Sequence, residues 1–154
     1  MTLHFAYGAN MSRAVMRRHA PGASPLGAAQ LAGYRFLITG DGYASVVPAM
    51  GQTVHGVLWR ITPRDRVTLD SWENVDGGLY RVAMLPVTHA RRRLNALVYC
   101  ARPSGEGRPK PGYMELVIAA AREWGLPEAH VQSLAGWNAA TASGTDVRKL
   151  GDLA

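Results

Sequence analysis

The amino-acid sequence predicts an α+β fold: a mostly antiparallel β-sheet with flanking helices. Strand-like segments outnumber helical ones and crowd the middle of the chain, and turn-rich breaks separate them. The regular strand and helix alternation of a doubly wound parallel sheet is missing. At 154 residues the chain is long enough for one domain with a real core and too short for two ordinary ones, so a single domain over 1–154 is expected. Composition suggests that the sheet closes.

The elements follow in order. Thr2 to Tyr7 is rich in strand formers and stops at Gly8, a first strand. Ser12 can cap a short helix that Pro21-Gly22 ends. Ala29 to Thr39, Tyr43 to Val47 and Thr53 to Ile61 read as strands, parted by Gly40-Asp41-Gly42 and by Pro48 to Gln52. Thr62-Pro63-Arg64-Asp65 combines an N-cap hydroxyl, a proline at the first helical position and an acid three residues after the cap. That helix should run to about Glu73. After a loop over 74–78, Tyr80 to Thr88 and Leu94 to Ala101 form a hairpin around Arg91-Arg92-Arg93. Pro103 to Pro111 reads as a mobile loop, Tyr113 to Trp124 as a helix ended by Gly125, and Pro127 to Trp137 as a last short helix. The small, polar tail over 138–154 reads as flexible.

Composition narrows the function classes. An apolar fraction of 47% and a charged fraction of 18% are those of a globular protein, and no segment holds the run of about 18 apolar residues that a membrane span needs. No secretory signal is visible and Cys100 is the lone cysteine, which together point to the cytoplasm. The net charge of +6 favours anionic partners. The clusters Arg17-Arg18 and Arg91-Arg92-Arg93 lack the interleaved aromatics of single-strand binders, so a solvated face is favoured over nucleic-acid contact.

Two features carry chemistry. In Tyr7-Gly8-Ala9-Asn10, between a strand and a helix, several backbone N–H groups are free, a setting that suits a carboxylate or oxyanion. Gly8 admits close approach, Ala9 adds almost nothing, and Asn10 tolerates a left-handed conformation or can bond its own backbone. Taken alone, such a stretch is more often just a turn. Glu73, next to Trp72 and four residues after Leu69, falls beside the apolar stripe at a helix C-terminus. Desolvation and the helix dipole there both favour the neutral acid, as a group that takes and gives a proton requires; the alternative is a glutamate pointing into water. The five histidines are scattered, and Cys100 lies in an apolar strand. No nucleophile elbow, Walker loop or dinucleotide fingerprint is present.

Phe5-Ala6-Tyr7-Gly8-Ala9-Asn10, Gly56-Val57-Leu58-Trp59, Leu69-Asp70-Ser71-Trp72-Glu73, Tyr80-Arg81-Val82, Pro109 to Tyr113 and Trp124-Gly125-Leu126-Pro127 resemble, in order and spacing, the γ-glutamylcyclotransferase family. The resemblance covers the chain as far as Trp137. It implies a mixed, mostly antiparallel small β-barrel and cyclisation of a γ-glutamyl group to 5-oxoproline with release of an amine or amino acid. It implies no cofactor and no metal, and it is compatible with a homodimer. It makes Glu73 the general acid/base and Tyr7, Gly8, Ala9 and Asn10 the loop that binds the glutamyl part. Tyr80 and Tyr113 match tyrosines near the pocket. This chain has Ala9 where the family usually has serine, and Asn74 where glycine commonly follows the glutamate. The expected partner is a small anionic γ-glutamyl substrate. A carrier-linked γ-glutamyl compound and a pocket that binds without turnover are the alternatives.

Overall fold

The computed structural model describes residues 2–139. Five strands form a closed barrel, β1 (Thr2–Ala6), β2 (Ser24–Ile38), β3 (Ala44–Ile61), β4 (Tyr80–His89) and β5 (Arg92–Ala101), in the order β1-β3-β2-β4-β5. All pairs are antiparallel except β1 with β5, which run parallel at His4 and Leu97. The expected mixed, mostly antiparallel barrel is present, and closure removes the sheet's open edges. Four α-helices flank it: α1 (Arg13–His19), α2 (Pro63–Trp72), α3 (Tyr113–Glu123) and α4 (Glu128–Ala139). The tail expected to be flexible lies, from residue 140 on, outside the described residues.

Three boundaries differ from the sequence reading. β2 begins at Ser24 rather than Ala29, because Ser24 and Pro25 pair with Arg60 and Trp59 at the start of the long β2–β3 ladder. Pro48 to Gln52 does not end a strand. The ladder passes from Ala32 opposite Thr53 to Tyr34 opposite Pro48, so the proline-containing segment is absorbed as a bulge within β3. Gly33, with φ of +81°, makes the matching bend in β2, and Met50 stands fully exposed on the bulge. The third difference is the segment over 103–111, which is tied down. Gly107 N–H donates to Ile38 O at 2.8 Å, Lys110 N–H to Gly42 O at 3.0 Å, and Gly40 N–H to Ser104 Oγ at 3.2 Å.

Local signals operate where they were read. Ser12 Oγ accepts from Val15 N–H at 3.3 Å and caps α1. Thr62 and Asp65 form a reciprocal capping box on α2, with Asp65 N–H to Thr62 Oγ1 at 3.1 Å and Thr62 N–H to Asp65 Oδ2 at 3.0 Å. Asp65 Oδ1 also accepts from Gly22 N–H, which fastens the turn after α1 to the head of α2. The β4–β5 hairpin turns at Ala90 and Arg91, both with positive φ, as a two-residue turn of primed type requires. The five clustered arginines are exposed. Cys100 is buried in β5, and burial pushes its thiol pKa up, away from the reactive thiolate.

Candidate active site

Helix α2 delivers the carboxylate. Glu73 is its C-cap, with N–H bonded to Leu69 O at 2.9 Å. Asn74 follows with φ of +49°, the left-handed helix end that asparagine accepts more readily than other non-glycine residues. Its Oδ1 accepts from Gly77 N–H and its carbonyl from Leu79 N–H, so the chain reverses immediately beyond Glu73. The Glu73 carboxyl faces inward to Asn10, whose Nδ2 donates to Oε1 at 3.3 Å. Burial raises its pKa to about 7, and the weaker effect of the Asn10 hydrogen bond runs the other way.

The loop after β1 comes to meet it. Ala9 to Met11 is one 3₁₀ turn, with Met11 N–H to Gly8 O and Ser12 N–H to Ala9 O both at 3.0 Å. The amides of Gly8, Ala9 and Asn10, at its head, reach no backbone carbonyl among the described residues. At Gly8 the space around the backbone excludes a side chain. A Cβ there would lie 2.9 Å from Tyr113 Oη and 3.2 Å from Ala44 Cβ. Asn10 adopts neither of the expected turn roles. Its φ is not positive, its side chain is buried, and its amide group contacts Glu73 instead of its own backbone. Trp124 pins the turn from outside, donating Nε1–H to Met11 O at 2.7 Å.

Tyr7, Tyr80 and Tyr113 are among the tyrosines that enclose the site, and burial raises the pKa of each of these three. They are therefore neutral phenols. Tyr7 donates its hydroxyl to Tyr99 O, and Tyr80 donates to Ala44 O at 2.7 Å, so both protons are already committed to backbone acceptors. Tyr113 differs. Its oxygen accepts from Ala44 N–H at 3.3 Å and also feels the Ala9 amide, while its own proton has no acceptor among the described residues. Of the three, Tyr113 alone keeps a donor for a ligand.

All seven residues singled out in the sequence line one cavity of about 310 Å³. His4, Tyr43 and Tyr99 line it too and were missed. His4 is buried, donates Nδ1–H to Leu97 O at 3.2 Å, and is held neutral by a burial-lowered pKa of about 4. Tyr99 packs edge-on against it and donates Oη–H to Asp70 Oδ1 at 2.6 Å. Asp70 is one turn before Glu73 and is paired with Arg66 at 3.1 Å, so β5 braces the helix that carries the carboxylate. No spacing along the chain marks His4 or Tyr99; barrel closure brings them there.

A strand, a 3₁₀ turn and a helix end thus converge on one partly buried carboxyl that lines the cavity. Residues 53–134, more than half of the chain, match the model of the AIG2-like family, and the chain belongs to that family. It is similar to mouse γ-glutamylcyclotransferase, at 27% identity over 144 residues, 86% of this chain and 76% of that protein. The human γ-glutamylcyclotransferase matches at 25% over 86% of this chain and 76% of its own length. Among solved structures, one named gamma-glutamyl cyclotransferase superposes with a TM-score of 0.83 at 22% identity, covering 99% of this chain and 96% of that one. YkqA of Bacillus subtilis superposes with a TM-score of 0.77 at 26% identity, over 88% of this chain and 53% of that chain.

Proposed function

We propose that the protein cyclises the γ-glutamyl group of a small γ-glutamyl amino acid, peptide or amine to 5-oxoproline and releases the free amine, with Glu73 as general acid/base. The observation that carries this reading is the Glu73 carboxyl: its pKa near 7 suits a group that takes and returns a proton, and it faces a small cavity beside three amides not bonded to backbone carbonyls. The names of the relatives support the same chemistry.

In this reading the Glu73 carboxylate takes a proton from the substrate's α-ammonium. The freed amine attacks the γ-carbonyl carbon, forming the ring C–N bond and moving charge to the carbonyl oxygen. N–H groups of Gly8, Ala9 and Asn10 hold that oxyanion or the substrate carboxylate, and the uncommitted Tyr113 hydroxyl adds a side-chain donor. Glu73 passes the proton to the departing nitrogen as the original amide C–N bond breaks. In total the α-nitrogen gives up two protons on becoming the lactam N–H, and the leaving nitrogen takes up two on departing as an ammonium. The nucleophile belongs to the substrate, so holding it folded over its own carbonyl supplies much of the acceleration.

Tyr7 and Tyr80 shape the wall in this scheme, since their protons are committed elsewhere. Ala9 in place of serine removes a hydroxyl and leaves the backbone donors in position. A cavity of about 310 Å³ favours a small substrate over a carrier-linked one. No described helix is long and apolar enough to cross a membrane, and the proposal includes a cytoplasmic setting for a small anionic substrate. A panel of γ-glutamyl amino acids, amines and peptides assayed for 5-oxoproline tests the proposal. Turnover of at least one compound, lost in Glu73→Gln, is expected. Turnover that persists in Glu73→Gln would overturn the role of Glu73.

A further inference from the structure

Trp72 takes no part in the steps above, yet it lines the same cavity and is the residue immediately before the carboxylate. It is also 48% exposed, although tryptophan usually buries most of its surface. Among the described residues the other large apolar side chains this exposed, Met50, Val67 and Met84, do not line the cavity. The indole is not loose. His19, the last residue of α1, stacks on it with ring centroids 3.9 Å apart and planes tilted by 31°. One side of the indole is backed by an imidazole, and about half of the side chain stays exposed.

We propose that Trp72 is the platform for the leaving amine, and that the preferred substrates are γ-glutamyl amides of amines that carry an aromatic ring. This rests on the cyclisation reading given above. The glutamyl half of any such substrate is constant and fits among the buried groups, Tyr7, Asn10 and Tyr113, next to Glu73. The variable half has to extend from the scissile carbonyl toward the open side, where Trp72 stands. An indole held from behind offers a π-face at little cost in side-chain freedom, and an aromatic pair gains from stacking beyond the area it buries. Charge selects further. Exposed Arg17 and Arg18 precede His19 on α1, and Arg18, after burial, helps to keep the His19 imidazole neutral. A cationic amine would meet like charge there, whereas an aromatic amino acid brings a carboxylate. An aromatic amino acid is thereby favoured as leaving group over a polyamine, which carries only positive charge.

The experiment compares γ-glutamyl-L-phenylalanine, γ-glutamyl-L-alanine and γ-glutamyl-L-cyclohexylalanine, whose leaving nitrogens share one chemistry. 5-Oxoproline release is measured for the native protein and for Trp72→Ala, Trp72→Leu and Trp72→Phe. The ratio of kcat/KM for the phenylalanine over the alanine compound should be about five- to tenfold in the native protein. It should fall to about twofold or less in Trp72→Ala and Trp72→Leu and be largely kept in Trp72→Phe, with the cyclohexyl compound intermediate. Absence of the preference in the native protein, or its persistence in both Trp72→Ala and Trp72→Leu, overturns the platform. If none of the three compounds is cyclised, the reaction assignment is what fails for this class, and calorimetric binding of the same compounds decides the platform independently. Tighter binding of the phenylalanine compound that is lost in Trp72→Leu supports it, and equal binding of the phenylalanine and alanine compounds overturns it.

Discussion

The loop from Tyr7 to Ser12 and the helix end at Glu73 are joined by a 3.3 Å hydrogen bond, but they are built by opposite means. The helix end is fixed largely from within. A capping box starts α2, ten residues run between cap and cap, and Asn74 turns the chain back. The loop is fixed from outside, by Tyr113 packed against Gly8, by Trp124 on the Met11 carbonyl, and by Asn10 reaching Glu73. The position of Glu73 thus depends on few residues, whereas that of the amides depends on α3, far away in the chain. Changes to the first half should act on chemistry, and changes to the second on geometry and stability together.

Glu73→Gln should give the largest effect, a loss of about three orders of magnitude or more in 5-oxoproline release. Its effect on stability should have the opposite sign. A carboxyl raised from 4.5 to about 7 in the folded state contributes stability that is fully present below pH 4.5 and lost as pH rises through 7. Removing it should therefore raise stability at pH 8 by about 2–3 kcal/mol, allowing for partial exposure, with little gain at pH 4; denaturant titration at the two pH values measures this. Gly8→Ala comes next. Its methyl would press on Tyr113 Oη and Ala44, and a cost of about 1–3 kcal/mol in stability with about a tenfold or greater drop in kcat/KM is expected from kinetics and thermal melting.

The same contrast governs what could be read from the sequence. α2 and its capping box were legible, because each is a local pattern of four or five residues. So was the capping of α1 by Ser12. The loop was legible only as an interruption. Asn10 was read as a turn former because asparagine ordinarily is one, and the partner that redirects its side chain lies sixty-three residues on. Pro48 to Gln52 misled for a related reason: the same residues that end strands also make bulges, and the pairing partner across the ladder decides which. His4 and Tyr99 left no trace because parallel pairing of β1 with β5, which closes the barrel, brings them together.

Two smaller effects sharpen the contrast. Asn10→Ala removes a hydrogen bond that favours the Glu73 carboxylate, so the pKa should rise further and the acid limb of the pH–rate profile should move to higher pH, by about one unit or less. Trp124→Phe removes the donor to Met11 O and should cost about 1–2 kcal/mol in stability, with a modest rise in KM, read from denaturation curves and kinetics.

In the proposed reaction one partly buried carboxyl at the end of α2 titrates near neutrality and runs the proton transfers. The pH dependence of kcat/KM for a cyclised γ-glutamyl compound tests it most directly. Activity should fall as pH drops through about 7, and Asn10→Ala should displace that limb upward. A limb near 4.5, where an ordinary glutamate titrates, or one that Asn10→Ala leaves in place, would contradict it.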